Sequence, residues 1–342
     1  MKVYRTDATR VETKEWKIVC DSTNSKYHPL VFYSHAHSDH IPKKLPQTDI
    51  ITSLETKMLL KNFVSNYSEA SFYDSFRIGN TSFEQKTAGH IIGSTALHIN
   101  SEKGKLIYTG DVSIRNKGFI EPFAPEKCDI LIIESTFGSP EYIFPSYDEE
   151  IKRTKELIVE YLDKGTPVVL MGYALGKAQM LYHAFSHLSE NIVLHGSNFR
   201  INSILQNEKL DNSIEAISYQ EAKTTNLLQE KKDWIFFTPL KSGRDPFFAF
   251  LKNKYNAKLF AFSGWCLSAN YKFRMAVDHA ITISDHADYS ELLEICKVCN
   301  AEQIYTVYGH SERFAGELRR EGYTAVPLSK QTILDSYFKK NQ

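Results

Sequence analysis

Three of the chain's 12 histidines fall within six residues, in His35-Ala36-His37-Ser38-Asp39-His40. In an extended segment alternate side chains share a side, so His35, His37 and Asp39 point one way and His40 follows in the turn. Imidazole nitrogens and a carboxylate at this density make a ready site for Zn²⁺ or Mn²⁺. Histidines scattered by chance in a polar loop are a poor rival, given how few the chain has. Further ligand types stand at the ends of other apolar runs: His90 after Gly89, and Asp111 after Gly110. Asp21, after Ile18-Val19-Cys20, is placed to orient a ligand histidine through its second nitrogen. Asp111 alone reads equally well as a turn cap; the set reads as a metal centre.

Short runs rich in Val, Ile, Phe and Tyr must carry these residues. Strands are predicted at Lys17–Cys20, Leu30–Tyr33, Ile50–Thr52, Thr81–Gln85, Thr95–Ile99 and Lys105–Tyr108. Asp129–Ile133 is a continuous apolar run, as expected of a strand covered on both faces. After Pro145 the texture changes to strand and helix in alternation, the pattern of a parallel α/β sheet. Helices are predicted over Asp148–Asp163 and Lys177–Leu188, with strands at Val168–Met171, Ile192–Leu194, Trp234–Phe237 and Leu259–Phe262. The polar segment Gln206–Gln229 is indistinct, with one helix placed in it. A strand at Ile281–Ile283, a helix at Ser290–Cys299, a strand at Ile304–Val307, a helix at Glu312–Glu321 and a strand at Thr324–Pro327 complete the pattern.

Bulk properties bound the answer. The chain has 342 residues, enough for one or two domains, and 41 basic residues balance 41 acidic ones. Affinity for nucleic acid therefore has to come from a local patch. No run of roughly 18 apolar residues predicts a membrane span, and the polar N-terminus lacks the apolar core of a signal peptide. Five scattered cysteines suit a reducing cytoplasm. Cys296 and Cys299 lack the second half of a zinc knuckle and read as small apolar residues on one helix face.

The set Asp21, His35-Ala36-His37-Ser38-Asp39-His40, His90 and Asp111 resembles the first four motifs of the metallo-β-lactamase fold. Glu134-Ser135-Thr136-Phe137-Gly138 is similar to motif A of the β-CASP nucleases, and Ser284-Asp285-His286-Ala287-Asp288 to their motif B. The likeness runs the length of the chain and is greatest to the short members, the DNA-ligase-associated exonucleases and the archaeal mRNA 3′-end processing factor-like proteins. It implies a metallo-β-lactamase αββα sandwich in two parts, 1–140 and 281–342, with a β-CASP α/β domain, 141–280, inserted between them. It also implies that His35, His37 and His90 hold one metal, Asp39 and His40 a second, and Asp111 bridges them. Two zinc sites, with manganese as the alternative, would then serve phosphodiester hydrolysis.

Motif C departs from the pattern. RNA-cleaving members place a His before Gly; here the segment is Tyr308-Gly309-His310, so Tyr308 takes the ligand position and His310 lies two residues on. Either Tyr308 stands beside the site without binding, or His310 supplies the last ligand, and the second metal is expected to be the weaker. Crosslink-repair and Artemis-like DNA nucleases also lack a histidine here, which tilts the substrate toward DNA. Asp39, Asp111, Glu134 and His286 are expected to be catalytic. His286 would protonate the leaving oxygen with Glu134 orienting it; alone, each reads as a cap.

Residues 231–280 hold nine Lys/Arg against three Asp/Glu, with aromatics interleaved, a mix that binds phosphates by charge and bases by stacking. Lys241, Arg244, Lys252 and Lys254 are the expected phosphate contacts. Lys177, after Gly172-Tyr173-Ala174-Leu175-Gly176 and before a helix, is offered as another; Ser263 is offered too, and reads equally well as a structural turn. These features predict a 5′-end-dependent exonuclease acting on single-stranded DNA in repair, with an RNA-processing nuclease as the alternative and a catalytically silent scaffold below both. By the resemblance a DNA ligase or helicase would be a partner.

Overall fold

The computed structural model describes residues 1–24, 29–210 and 213–328. They form a mixed α/β protein divided into two compact units, one of residues 1–116, 120–143 and 286–328, the other of 117–119 and 144–285. These breaks lie a few residues beyond the boundaries expected at 140 and 280. The expected C-terminal segment beyond 328 lies outside the described residues.

The first unit has two sheets. One runs in the order Lys2–Arg5, Thr9–Glu12, Lys17–Cys20, Leu30–Phe32, Asp49–Ile51, Ser71–Tyr73. The other runs Ala325–Pro327, Gln303–Val307, Ile130–Glu134, Gly104–Tyr108, Thr95–Ser101, Thr81–Thr87, Ser75–Ile78. The period of two along each strand decides the layers. Ile18, Cys20, Leu30 and Phe32 of one sheet share an inner core with Leu97, Ile99, Leu106 and Ile132 of the other. Val31 and Tyr33, at the alternate positions, pack outward with Leu60 of helix Leu54–Phe63. Leu131 and Ile133 face outward on the other side, against Leu292 and Ile295 of helix Tyr289–Cys299 and Phe314 and Leu318 of helix Ser311–Arg320. Strand Ile130–Glu134 is thus covered on both faces and flanked by parallel neighbours, Gly104–Tyr108 and Gln303–Val307; hence its unbroken apolar run.

The second unit is built on one parallel sheet, ordered Ile217–Ser218, Ile192–Leu194, Ile235–Thr238, Val168–Met171, Lys258–Phe262, His279–Ile281. Ile158 of helix Tyr147–Asp163 and Leu181 and Phe185 of helix Lys177–Phe185 cover one face. Phe248 and Leu251 of helix Pro246–Tyr255 cover the other. The last strand lies two residues before the predicted Ile281–Ile283. The indistinct segment holds the end of helix Gly196–Asn207 and two short helices, Tyr219–Thr224 and Leu227–Glu230. All five cysteines are free and buried, Cys296 and Cys299 in the outer core of the first unit. Among the described residues no helix is long and apolar enough to cross a membrane.

Candidate metal centre

The site lies in the first unit, where several strands end. Strand Lys17–Cys20 stops at Asp21, whose backbone turns to a φ of 52°. Its amide donates to the Phe32 carbonyl, which ties it to the strand that leads into the histidines. Its buried carboxylate is crowded with donors: Oδ1 accepts from the Ser34 amide at 2.7 Å, and Oδ2 from Ser34 Oγ and Tyr108 OH, each at 2.7 Å. His40 Nδ1 lies 3.0 Å from the same Oδ2. A proton held there by Asp21 fixes the ring with Nε2 facing Asp111, 3.4 Å away. Asp21 thus meets one histidine of the motif, His40, whereas Ser34 and Tyr108 carried no signal beyond adjacency to His35 and proximity to Asp111 in the chain.

Four potential ligand atoms converge. The ligand atoms of His35, His37, His90 and Asp111 all lie within 4.8 Å of one another. His37 Nδ1 is 3.0 Å from His35 Nε2 and 3.3 Å from His90 Nε2. Asp111 Oδ2 is 3.6 Å from both His35 Nε2 and His90 Nε2, and 3.4 Å from His40 Nε2. Nitrogens facing one another this closely repel unless a proton or a cation lies between them. Three imidazoles and a carboxylate are also the N/O donor set that a zinc-like ion takes in tetrahedral geometry. Burial, with His40 and His37 beside it, pushes the His35 imidazole well below its ordinary value, which keeps its lone pair free for a ligand. Burial alone would raise the Asp111 carboxyl; His40 and His286 outweigh it and hold the group well below the carboxylate range. Burial opposes charge on His40 too, but Asp111 and Asp21 outweigh it and raise His40 well above its ordinary value.

Beside this cluster stand Glu134 and His286. Glu134 ends its strand fully buried, and Oε1 takes the Val112 amide at 2.8 Å while Oε2 takes the Thr136 amide at 3.2 Å. His286 Nδ1 lies 2.9 Å from Glu134 Oε1, and its ring centroid is 4.3 Å from that of His90. Two further contacts hold the His286 segment against the loop that follows Asp111. The Ala287 amide donates to the Val112 carbonyl at 2.7 Å, and Arg115 forks onto Glu291 with bonds of 3.1 and 2.6 Å. Arg115 carried no motif and was not foreseen; a bidentate partner on a helix cap is visible only in three dimensions.

Tyr308 adopts a φ of 60° and sits beside His40, with ring centroids 5.3 Å apart. Its hydroxyl is 3.0 Å from that of Tyr108, which continues to Asp21. A Cβ on Gly309 would come within 2.4 Å of the Ser135 carbonyl oxygen, so the close approach of the two loops requires glycine there.

Several expectations change. His310 stands at the N-cap position of helix Ser311–Arg320 without a side-chain cap bond, packs its ring on Tyr142 at 5.3 Å, and is not among the four side chains that converge. The Asp39 side chain is 81% exposed, and its Oδ2 reaches only to 3.9 Å from His40 Nε2. It stands at the rim, outside the group of four. Lys177 is buried, and its Nζ bonds Asp285 Oδ1 at 2.8 Å and the Ile283 carbonyl at 3.0 Å. A Cβ on Gly172 would meet Lys177 Cγ at 2.4 Å, so the lysine stem fills the loop expected to cradle a phosphate. Ser263 is buried as well, and its Oγ caps the Trp265 amide at 3.3 Å. Arg244 spends its guanidinium on the Phe273 and Arg274 carbonyls. Lys241 is exposed and 3.8 Å from Asp245, Lys252 is 3.5 Å from Asp278, and Lys254 lies over the Phe250 and Tyr255 rings.

No family model matches the chain. A probable DNA ligase of Opitutus terrae is 28% identical over 315 residues, covering 89% of this chain and 29% of that protein. An RNase J-like protein of Methanocaldococcus jannaschii is 30% identical over 207 residues, 49% of this chain and 48% of its own length. The chain thus spans less than half of either relative. A crystal structure of a protein of unknown function from Enterococcus faecalis V583 shares the fold, with a TM-score of 0.58 at 15% identity over 91% of this chain and 94% of the other.

Proposed function

We propose, from a chain whose relatives fit the β-CASP nucleases of the metallo-β-lactamase fold that its motifs resemble, that this protein is a metal-dependent phosphodiesterase of nucleic acid. The first unit is then the metallo-β-lactamase sandwich and the second the β-CASP insert. The observation that carries the reading is the convergence of His35, His37, His90 and Asp111 within 4.8 Å, with the Glu134–His286 pair alongside.

Zinc, or manganese in its place, would be held by those four residues, with a second, weaker site at His40 and Asp39. The ion supplies Lewis-acid polarisation of a phosphoryl oxygen and makes water nucleophilic near neutral pH. The chain's own residues do the rest. Glu134, already anchored by two amides, accepts the Nδ1 proton of His286 and fixes its ring. His286 Nε2 is then free to give a proton to the departing oxygen, and its side chain is 19% exposed, open to substrate. Asp21 fixes the His40 ring, with the Tyr308 and Tyr108 hydroxyls completing its shell.

The substrate favoured is single-stranded DNA with a free 5′ end, because Tyr308 replaces the motif C histidine and the first relative is a probable DNA ligase. RNA cleavage is the second reading, on the strength of the RNase J-like relative. Lys241, Lys252 and Lys254 of the second unit would meet phosphates; a ligase would be the partner, in a reducing cytoplasm that suits free cysteines. The test is incubation with 5′- and 3′-labelled single-stranded DNA and RNA under Zn²⁺ or Mn²⁺, reading the product ladder. Mononucleotides from the 5′ end of DNA are expected. Intact substrate under every metal would sink the enzyme reading and favour the scaffold.

A further inference from the structure

Arg5 ends the first strand of the first unit and lays its guanidinium over the Tyr308 ring, with Cζ 4.6 Å from the centroid. Among the described residues its guanidinium has no ion pair and no hydrogen bond, and Nε is buried without a partner. Arg10, five residues on, spends its own guanidinium on Thr6 and Asp7. An aromatic face attracts a cation but accepts none of its five N–H donors in a directed bond. A guanidinium drawn partly out of water with its donors unspent lacks an acceptor, and its planar fork matches the oxygens of a phosphate.

Its neighbour says which phosphate. The Tyr308 ring touches both Arg5 and His40, and through Tyr108 and Asp21 it is joined to the His40 ring. His286 meets the imidazole cluster from the other end of the row, at His90. Arg5 is therefore linked to the converging residues through one ring and His40, whose Nε2 is 3.4 Å from Asp111 Oδ2.

We propose that Arg5 binds a backbone phosphate of the nucleic-acid strand adjacent to the one being cleaved, with Tyr308 as the shelf that aims the guanidinium. This rests on the nuclease reading above and names a subsite for it. It also gives the tyrosine at the motif C position a use that a histidine ligand would not have: it trades a metal contact for a seat under a cation.

The experiment compares Arg5→Gln and Arg5→Lys with the parent chain on a labelled single-stranded oligonucleotide and on bis(4-nitrophenyl) phosphate, which has one diester and no neighbouring phosphate. For R5Q, kcat/KM on the oligonucleotide should fall about ten-fold further than on the small diester, through KM, the size of one charge-assisted contact. The slope of log binding constant against log salt for the oligonucleotide should flatten by about 0.7, the share of one phosphate on a single strand. R5K should keep the slope, since its charge remains, and recover part of the KM. Equal losses on both substrates would show that Arg5 merely props Tyr308 and overturn the proposal, as would an unchanged salt slope. If the parent chain cleaves neither substrate the nuclease reading fails, while the salt slope of binding still decides for or against the Arg5 contact.

Discussion

His286 and Glu134 are 152 residues apart in the chain and 2.9 Å apart in the protein. Replacing His286 by Ala should lower kcat by about 10² to 10⁴-fold with metal content unchanged. A substrate with a more acidic leaving group should lose less; equal loss on both would make His286 a phosphate-positioning group. His37→Ala removes the nitrogen that touches both His35 and His90, so bound metal and activity should vanish together in elemental analysis and assay. The parent chain should hold one ion tightly, because Asp39 stands exposed at the rim and Tyr308 offers its hydroxyl to Tyr108. Two ions retained equally through dialysis would contradict that. The convergence of His35, His37, His90 and Asp111 was legible in the sequence because metal sites reuse a few side chains at short spacing. Lys177 misled because a lysine after a glycine-bearing turn looks alike from the sequence whether it meets a phosphate or a buried aspartate.

At the level of elements, the helix that follows His286 starts with a reciprocal cap. Asp288 Oδ1 accepts the Glu291 amide at 2.9 Å, while Glu291 Oε2 accepts the Asp288 amide at 2.8 Å. Asp288→Ala should cost about 1 kcal/mol in denaturant unfolding, with activity falling more than stability because His286 is two residues away. Gly309→Ala should cost more than about 1 kcal/mol, since φ is 44° and the Ser135 carbonyl stands in the way. An Ala variant as stable as the parent would mean that the two loops can part. Elements with strong periodicity were read almost to the residue, as Val168–Met171 and Ile192–Leu194 show. The hairpin Lys2–Arg5 with Thr9–Glu12 was not, because half its side chains are polar and meet solvent at a sheet edge. Helix Pro246–Tyr255 hid inside a stretch read as basic and aromatic; its Phe248 and Leu251 are core, with Asp245 as cap and Pro246 at the first turn.

Across the whole molecule, stability should depend on pH through a residue far from any motif. His98 is buried on the strand Thr95–Ser101 with neither ring nitrogen partnered among the described residues, and burial pushes it down to about 4 from 6.5. Between those values the unfolded chain binds the proton and the folded chain does not. The stability it contributes is therefore complete above about pH 6.5 and is lost as pH falls through about 4, at most about 3 kcal/mol. His98→Leu should flatten this fall; parallel curves for parent and variant between pH 7.5 and pH 4 would refute it. The division into two units was legible as a change of texture after Pro145, since parallel α/β segments alternate and the preceding strands do not.

The order of the chain also sets a clock. His35, His37, His90 and Asp111 precede the second unit, while His286 and strand Gln303–Val307, the neighbour of Ile130–Glu134, follow it. A ribosome emitting this chain at about 5–20 residues per second delivers Asp111 roughly 10 to 35 seconds before His286. Through that interval Glu134 stands at the edge of an unfinished sheet, and the four converging side chains are all made before the imidazole that Glu134 meets.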